Sequence, residues 1–306
     1  MALSDEIISK WFKESVLKFD LDKTFQEVED TIEQAAKLLA EERGLYKPED
    51  VKTYIQGSYL NNVYVGQNTK LEVVVELTRA GDEVYDELEY FMDKSPRKRA
   101  VRIKPAYPLQ RFKLDLYNKL SDLFNSNRVT TCNQAITIEK NLTLPVTIEV
   151  TPAFSFKRAN DEGEDVPCVL VWEEFSGDYT ISYPHLHTTN LSLKDGKTDG
   201  NTKKVIRLFK NMRDYMINEQ VFPAGAAPGY FIDCLVYNVP DILLKGSDMR
   251  GVLLKVFNYL NNKNINEMLC VHEQFPMFGS NFDQWDIKHA RFFVSSLIYT
   301  YKNIKE

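Results

Sequence analysis

The chain has 306 residues, 43% of them hydrophobic and 27% charged, which is enough for one large or two packed domains with a sizeable core. A net charge of −6 argues against bulk electrostatic binding to nucleic acid and leaves only a local basic patch for that purpose. Cys132, Cys168, Cys234 and Cys270 are scattered without a CxxC pair, so they read as buried free thiols of a reducing cytosol, and no signal pattern or membrane-spanning run is present. The expected location is cytoplasmic, with no membrane partner.

The first predicted element is an amphipathic helix over residues 4–17, with Ser4 as its cap and Ile7, Ile8, Trp11 and Phe12 on one face. A second helix runs from Asp22 to Glu42, where Phe25, Val28, Ile32, Ala35, Ala36 and Leu39 repeat at helical spacing and Arg43-Gly44 ends it. Both read as scaffold. A short strand from Val51 to Ile55 leads into Gln56-Gly57-Ser58-Tyr59, and a Val-rich strand follows at Leu71–Leu77. A Gly-Ser turn lets a ligand approach the backbone closely, and can offer a phosphate N–H groups and a hydroxyl. Glu72 stands where the Val-rich strand emerges.

A helix over residues 82–92 comes next. Residues 97–113 then contain Arg97, Lys98, Arg99, Arg102, Lys104, Arg111 and Lys113 with no acid among them. This is the clearest charge asymmetry of the chain. It reads either as a solvated loop with two prolines or as a contact surface for RNA, DNA or an oligonucleotide, with Tyr107 and Phe112 near enough to stack on bases. A helix over 111–124 and strands at 129–131, 135–139 and 146–151 follow. The last of these carries Glu149. An inward acid on a central strand is costly unless paired or bound to metal, and Lys70 is the cation at hand.

The C-terminal half reads as a strand at Tyr179–Ser182, a polar loop at Lys194–Thr198, a helix around Lys203, Arg207 and Lys210, and a closing helix from Trp285 to Tyr301. His185, His187, His272 and His289 are not grouped with the cysteines, so no zinc site is expected. His185 and His187 read as contacts with solvent or a cleft rim. No Ser/His/Asp hydrolase motif is present.

Several stretches, in order, resemble the polymerase-β-like nucleotidyltransferases. They are most similar to the bacterial cGAS/DncV-like enzymes, which make cyclic or linear oligonucleotide second messengers in antiphage defence. Gln56-Gly57-Ser58-Tyr59 resembles their triphosphate-holding turn, and Thr69-Lys70-Leu71-Glu72-Val73-Val74-Val75-Glu76-Leu77 resembles their metal-binding strand. In that alignment Lys70 replaces the first metal-binding aspartate and Glu72 the second. Glu149, in Glu149-Val150-Thr151-Pro152-Ala153-Phe154, takes the place of the third acid. Lys203 matches the lysine that reaches the triphosphate, on a helix that also carries Arg207. Asp233-Cys234-Leu235-Val236-Tyr237-Asn238-Val239-Pro240 is close to a family segment whose first residue is glutamate.

The resemblance implies an α/β (α+β), two-lobed fold: a mixed sheet flanked by helices in residues 1–160, and a helical lobe in 161–306 completing a nucleotide cleft. It implies a nucleotide or oligonucleotide ligand held by Gly57, Ser58, Lys70, Lys203 and Arg207, and a protein partner encoded with the chain. Two functional readings follow. In one, the protein is a pseudoenzyme that keeps the ligand cleft without two-metal catalysis and needs no cofactor, with Lys70, Glu72 and Glu149 as an internal ion cluster. In the other, Glu72 and Glu149 bind Mg²⁺ and catalyse nucleotide transfer.

Overall fold

The computed structural model describes residues 4–12, 22–66, 70–79, 107–159, 164–262, 265–279 and 284–303. The predicted helix at 82–92 and most of the basic stretch lie outside them. The described residues form two compact units, one of residues 17–60 and 68–185, the other of residues 1–16, 61–67 and 186–306.

The first unit is built on a mixed seven-stranded sheet. Its strands are β1 (Val51–Gln56), β2 (Lys70–Leu77), β3 (Val129–Cys132), β4 (Ala135–Ile138), β5 (Thr147–Ala159), β6 (Asp165–Glu173) and β7 (Asp178–Ser182). The order β1-β2-β5-β4-β3 continues from β5 through β6 to β7, so both strands beyond residue 160 belong to the sheet. Only the central pair, β2 with β5, runs parallel; every other pair is antiparallel.

Side chains alternate between the faces of a strand. Leu71, Val73, Val75 and Leu77 therefore share one face of β2 with Ile148, Val150 and Phe154 of β5, and all are buried. Two helices with buried apolar stripes serve this unit. In α2 (Asp22–Arg43) the stripe is Phe25, Ile32, Ala35, Ala36 and Leu39; in α4 (Leu109–Phe124) it is Leu109, Phe112, Leu116 and Leu120. Gly44, at φ 64°, ends α2 with its N–H on the Ala40 carbonyl, a left-handed position that suits glycine. The opposite face of the sheet is mostly polar and carries the candidate site.

The second unit is helical: α1 (Asp5–Phe12), α5 (Pro184–Lys197, from Leu186 on), α6 (Asn201–Asn218), α7 (Gly229–Tyr237), α8 (Asp241–Leu244), α9 (Met249–Asn262) and α10 (Ile287–Asn303). One apolar core joins them, from Ile8 of α1 through Phe209, Phe231 and Phe257 to Phe293. Ser4 caps α1 as expected, accepting from the Ile7 N–H at 3.3 Å.

The polar loop expected at 194–198 is largely helix, because α5 runs to Lys197. Its polar side chains are consumed locally: Lys194 reaches Asp241 at 2.8 Å, and the Thr198 hydroxyl donates back to the Lys194 carbonyl at 2.9 Å. Strand β6 carries no prediction from sequence. Its Pro167 and flanking acids mask a strand that sits outside the central ladder. Among the described residues, no helix is long and apolar enough to cross a membrane.

Candidate functional site

The site face of the sheet follows from strand register. In the parallel β2–β5 ladder, Glu72 lies directly against Glu149 and Lys70 against Thr147. Glu72 and Glu149 thus project from the same face of adjacent strands, whose backbones run about 5 Å apart. Two carboxylates so placed repel each other. The Lys70 ammonium, two residues before Glu72 on the same face, forms an ion pair with Glu149. The pair is only partly covered: the side chains of Lys70 and Glu149 are 50% and 25% exposed. Its hydrogen bond raises the lysine pKa, burial opposes that rise, and Cys132 and Glu72 add to it.

The Gly-Ser turn meets this face at its edge. Gln56, the last residue of β1, is the ladder partner of Glu72, and the chain then bends through Gly57 at φ 78° into the one-turn helix α3 (Gly57–Leu60). The Glu72 carboxylate lies over Gly57. A Cβ built there would fall within 2.7 Å of all three atoms of that carboxyl group, closer than real Cβ atoms approach anything. Glycine suits the left-handed backbone here, and any side chain in its place would have to push the Glu72 carboxyl group aside. Gly57, Ser58, Lys70, Glu72 and Glu149 all belong to this unit, and the Gly57 turn, Glu72, Lys70 and Glu149 form one contiguous group.

Sequence reading missed several residues of this face. Glu76, four positions beyond Glu72 and on the same side, is buried and accepts a hydrogen bond from the Ser155 hydroxyl. Burial, then the Glu76 carboxylate, pushes the Tyr54 hydroxyl well above its ordinary range. The Tyr54 ring lies 4.8 Å from that of His185 and packs on a small apolar patch of Val74, Ala153, Val169 and Val171. Cys132 is exposed, unlike the other three cysteines, and its sulfur stands 3.7 Å from the hydroxyl of Thr137, the residue registered against Glu149. The alternation of Glu72, Val74 and Glu76 was the available signal for Glu76. Nothing local pointed to Cys132, which reaches the site through the β3–β4 hairpin.

The described end of the basic stretch is structural. Lys113 is buried and donates to the Cys132 and Asn133 carbonyls, each at 2.9 Å, and to Glu174 at 2.7 Å. Arg111 reaches Asp115 at 3.2 Å. Tyr107 and Phe112, expected to stack on bases, are 1% and 0% exposed and pack against Tyr46 in the core. Their apolar area is worth more buried in the sheet unit's core than held free for a ligand. Arg97, Lys98, Arg99 and Arg102 lie outside the described residues.

Lys203 and Arg207 lie one helical turn apart on α6 of the helical unit. Lys203 is half-buried, and its backbone N–H donates to Asp195 at 2.9 Å. Arg207 is buried and donates to the Asn62 carbonyl. It pins the segment that begins one residue after α3. Lys210, one turn further on, makes a buried ion pair with Asp233 of α7 at 2.8 Å, both side chains 4% exposed.

His187 of α5 approaches the other Asp233 oxygen at 3.8 Å. Sequence suggested a contact with solvent or a cleft rim, but the side chain is only 14% exposed and packs beside Tyr230 with ring centroids 4.8 Å apart. Burial lowers its pKa to about 4, and Asp233 only partly offsets that. His185, by contrast, is exposed.

Comparison with known proteins agrees with this arrangement. Residues 189–302 match the cGAS/DncV-like nucleotidyltransferase C-terminal helical domain. A cyclic UMP-AMP synthase of Rhodothermus marinus is 29% identical over 253 residues, covering 81% of this chain and 82% of the relative. The cyclic nucleotide synthase CdnE01 of Staphylococcus haemolyticus is 26% identical, covering 84% and 87%. The structure of the Elizabethkingia meningoseptica CdnE cyclic dinucleotide synthase with GTP and Apcpp superimposes with a TM-score of 0.78 at 23% identity, covering 98% of each chain. The fold is that of a polymerase-β-like nucleotidyltransferase, with a mixed sheet bearing a Gly-Ser turn and in-register acids, and a helical unit. Within that class, the helical unit carries the cGAS/DncV-like C-terminal domain match, and the chain over most of its length is similar to cyclic nucleotide synthases.

Relatives in this family are generally metal-dependent. The donor set here fits two Mg²⁺ ions poorly. Two-metal chemistry needs carboxylates that bridge ions about 4 Å apart. Here Glu149, one of the two carboxylates expected to hold metal, is held by an ammonium, which repels a divalent ion at contact distance.

Proposed function

We propose that this protein is a cGAS/DncV-like nucleotidyltransferase whose cleft binds a nucleotide or oligonucleotide without joining nucleotides, and that it acts as a regulatory or sensing component of antiphage signalling. The observation that carries this reading is the Lys70–Glu149 ion pair. It stands where the family resemblance puts metal-binding acids. A lysine ammonium is a compact point charge that can neutralise phosphate oxygens without a metal. Because the Lys70 side chain is half exposed, it can exchange its carboxylate partner for a phosphate at little cost to the fold. Gly57 and Ser58 at the turn supply the close backbone approach. On the family resemblance, Lys203 and Arg207 of α6 are proposed as nucleotide-binding residues of the helical unit. The wider setting, in antiphage signalling in the bacterial cytoplasm with a protein partner encoded nearby, is proposed by analogy with the relatives.

A second reading is favoured by one observation. Glu72 and Glu149 are in register on one face, and the relatives are named as synthases. In that reading both glutamates bind Mg²⁺ and the protein makes cyclic or linear oligonucleotides. The two separate by calorimetric titration of each ribonucleoside and deoxyribonucleoside triphosphate, with Mg²⁺ and with chelator. Metal-independent binding that Lys70→Ala abolishes supports the first reading; binding that requires Mg²⁺ and survives Lys70→Ala sinks it.

A further inference from the structure

We propose that Glu72 is the resident anion of the Gly57 turn. Its carboxylate occupies the space a ligand phosphate needs, so a phosphate enters only as Glu72 leaves. The inference rests on the reading that this turn is a phosphate site, and adds what controls entry to it.

Three observations combine. Gly57 adopts φ 78° and lacks a side chain, so a group can approach its backbone closely from the side where a Cβ would stand. That approach is filled, since all three atoms of the Glu72 carboxyl group lie within 2.7 Å of the ideal Cβ position. Backbone pairing keeps Glu72 beside the turn, because Gln56 and Glu72 are ladder partners and Gly57 follows Gln56 directly. Glu72 thus has little freedom to vacate the turn by sliding along the sheet.

The electrostatics act in the same direction. A phosphate approaching Gly57 meets a carboxylate at contact distance, while the nearby ammonium of Lys70 is engaged by Glu149. A bare polyphosphate therefore has to displace Glu72 and draw Lys70 from Glu149. Glu72 sets the threshold for entry, and selects ligands whose additional contacts offset that displacement. It is a specificity-determining residue of the proposed site, and its own carboxylate mimics the ligand group.

The test uses inorganic tripolyphosphate as the probe, titrated calorimetrically into the full chain with chelator present. The variants are Glu72→Ala, which removes both bulk and charge, and Glu72→Gln, which keeps the bulk and folds where the alanine variant does not. The expected order of affinity is Glu72→Ala, then Glu72→Gln, then the starting protein, with the alanine variant about tenfold tighter than the starting protein, the size of one removed charge contact at the surface. Equal or weaker binding by both variants overturns the inference and leaves the nucleotide-binding reading standing, since Glu72 would then support the phosphate. If none of the three binds tripolyphosphate, the inference is also overturned. The nucleotide titration of the starting protein then decides separately whether the underlying reading falls with it.

Discussion

Two lysine–carboxylate pairs in this molecule have the same chemistry and opposite surroundings. Lys210 and Asp233 meet at 2.8 Å with both side chains 4% exposed, joining α6 to α7 inside the helical unit. Lys70 and Glu149 join β2 to β5 on the open face of the sheet, 50% and 25% exposed. The interior pair has no water to fall back on, so losing either partner strands a buried charge. The face pair loses little when parted, because solvent or a ligand replaces the partner. The first is a structural tie. The second is the kind of pair a binding site can afford to open.

The largest expected effect tests the buried tie. Asp233→Ala leaves the Lys210 ammonium without its partner and should destabilise the protein by about 3–5 kcal/mol. Urea denaturation of the variant beside the starting protein measures it. A loss below about 1 kcal/mol would place the Lys210–Asp233 pair on the same footing as the surface pair and remove the contrast.

The next effect sharpens the buried side of the comparison through pH. His187 stands beside Asp233, and its pKa falls from 6.5 to about 4, chiefly through burial. Its folded value lies below its unfolded value, so between those two pH values the unfolded chain binds more protons. Stability from this group is present above about pH 6.5 and lost as pH falls toward 4, with a total of about 3 kcal/mol. His187→Gln should flatten that slope in denaturation curves taken across the window. An unchanged slope would assign the acid sensitivity to other groups.

The smallest expected effect falls on the face pair. Lys70→Ala should change stability by less than about 1 kcal/mol, since the pair is largely solvated. The same denaturation series reads it out. A loss comparable to that of Asp233→Ala would make Lys70 a structural residue and weaken its proposed ligand role.

Much of this arrangement was legible from pattern, and the misses share a cause. The Val-rich run placed β2 with Glu72 at its start, and Glu149 read as an acid on a neighbouring strand. Helices α2, α4 and α10 were read from their apolar residues, and their observed limits are close to expectation. What failed depended on partners distant in sequence. Tyr107 and Phe112 looked available because a basic stretch surrounds them, yet Tyr46 and the rest of the core claim them. His187 is two residues from the exposed His185, but α5 turns it into the helical interior beside Tyr230 and Asp233. Contact between Glu72 and Gly57 is a matter of ladder register, which pairs residues 16 positions apart and leaves no local mark.

On the proposed function, the Gly57–Lys70–Glu149 face binds a nucleotide without joining nucleotides. That reading is tested most directly by incubating the full chain with labelled nucleoside triphosphates and Mg²⁺ or Mn²⁺ and resolving the products, with Glu72→Ala run in parallel. The expected result is no cyclic or linear oligonucleotide from either protein. Robust synthesis by the starting protein that disappears in Glu72→Ala would contradict it and establish the chain as an active nucleotidyltransferase.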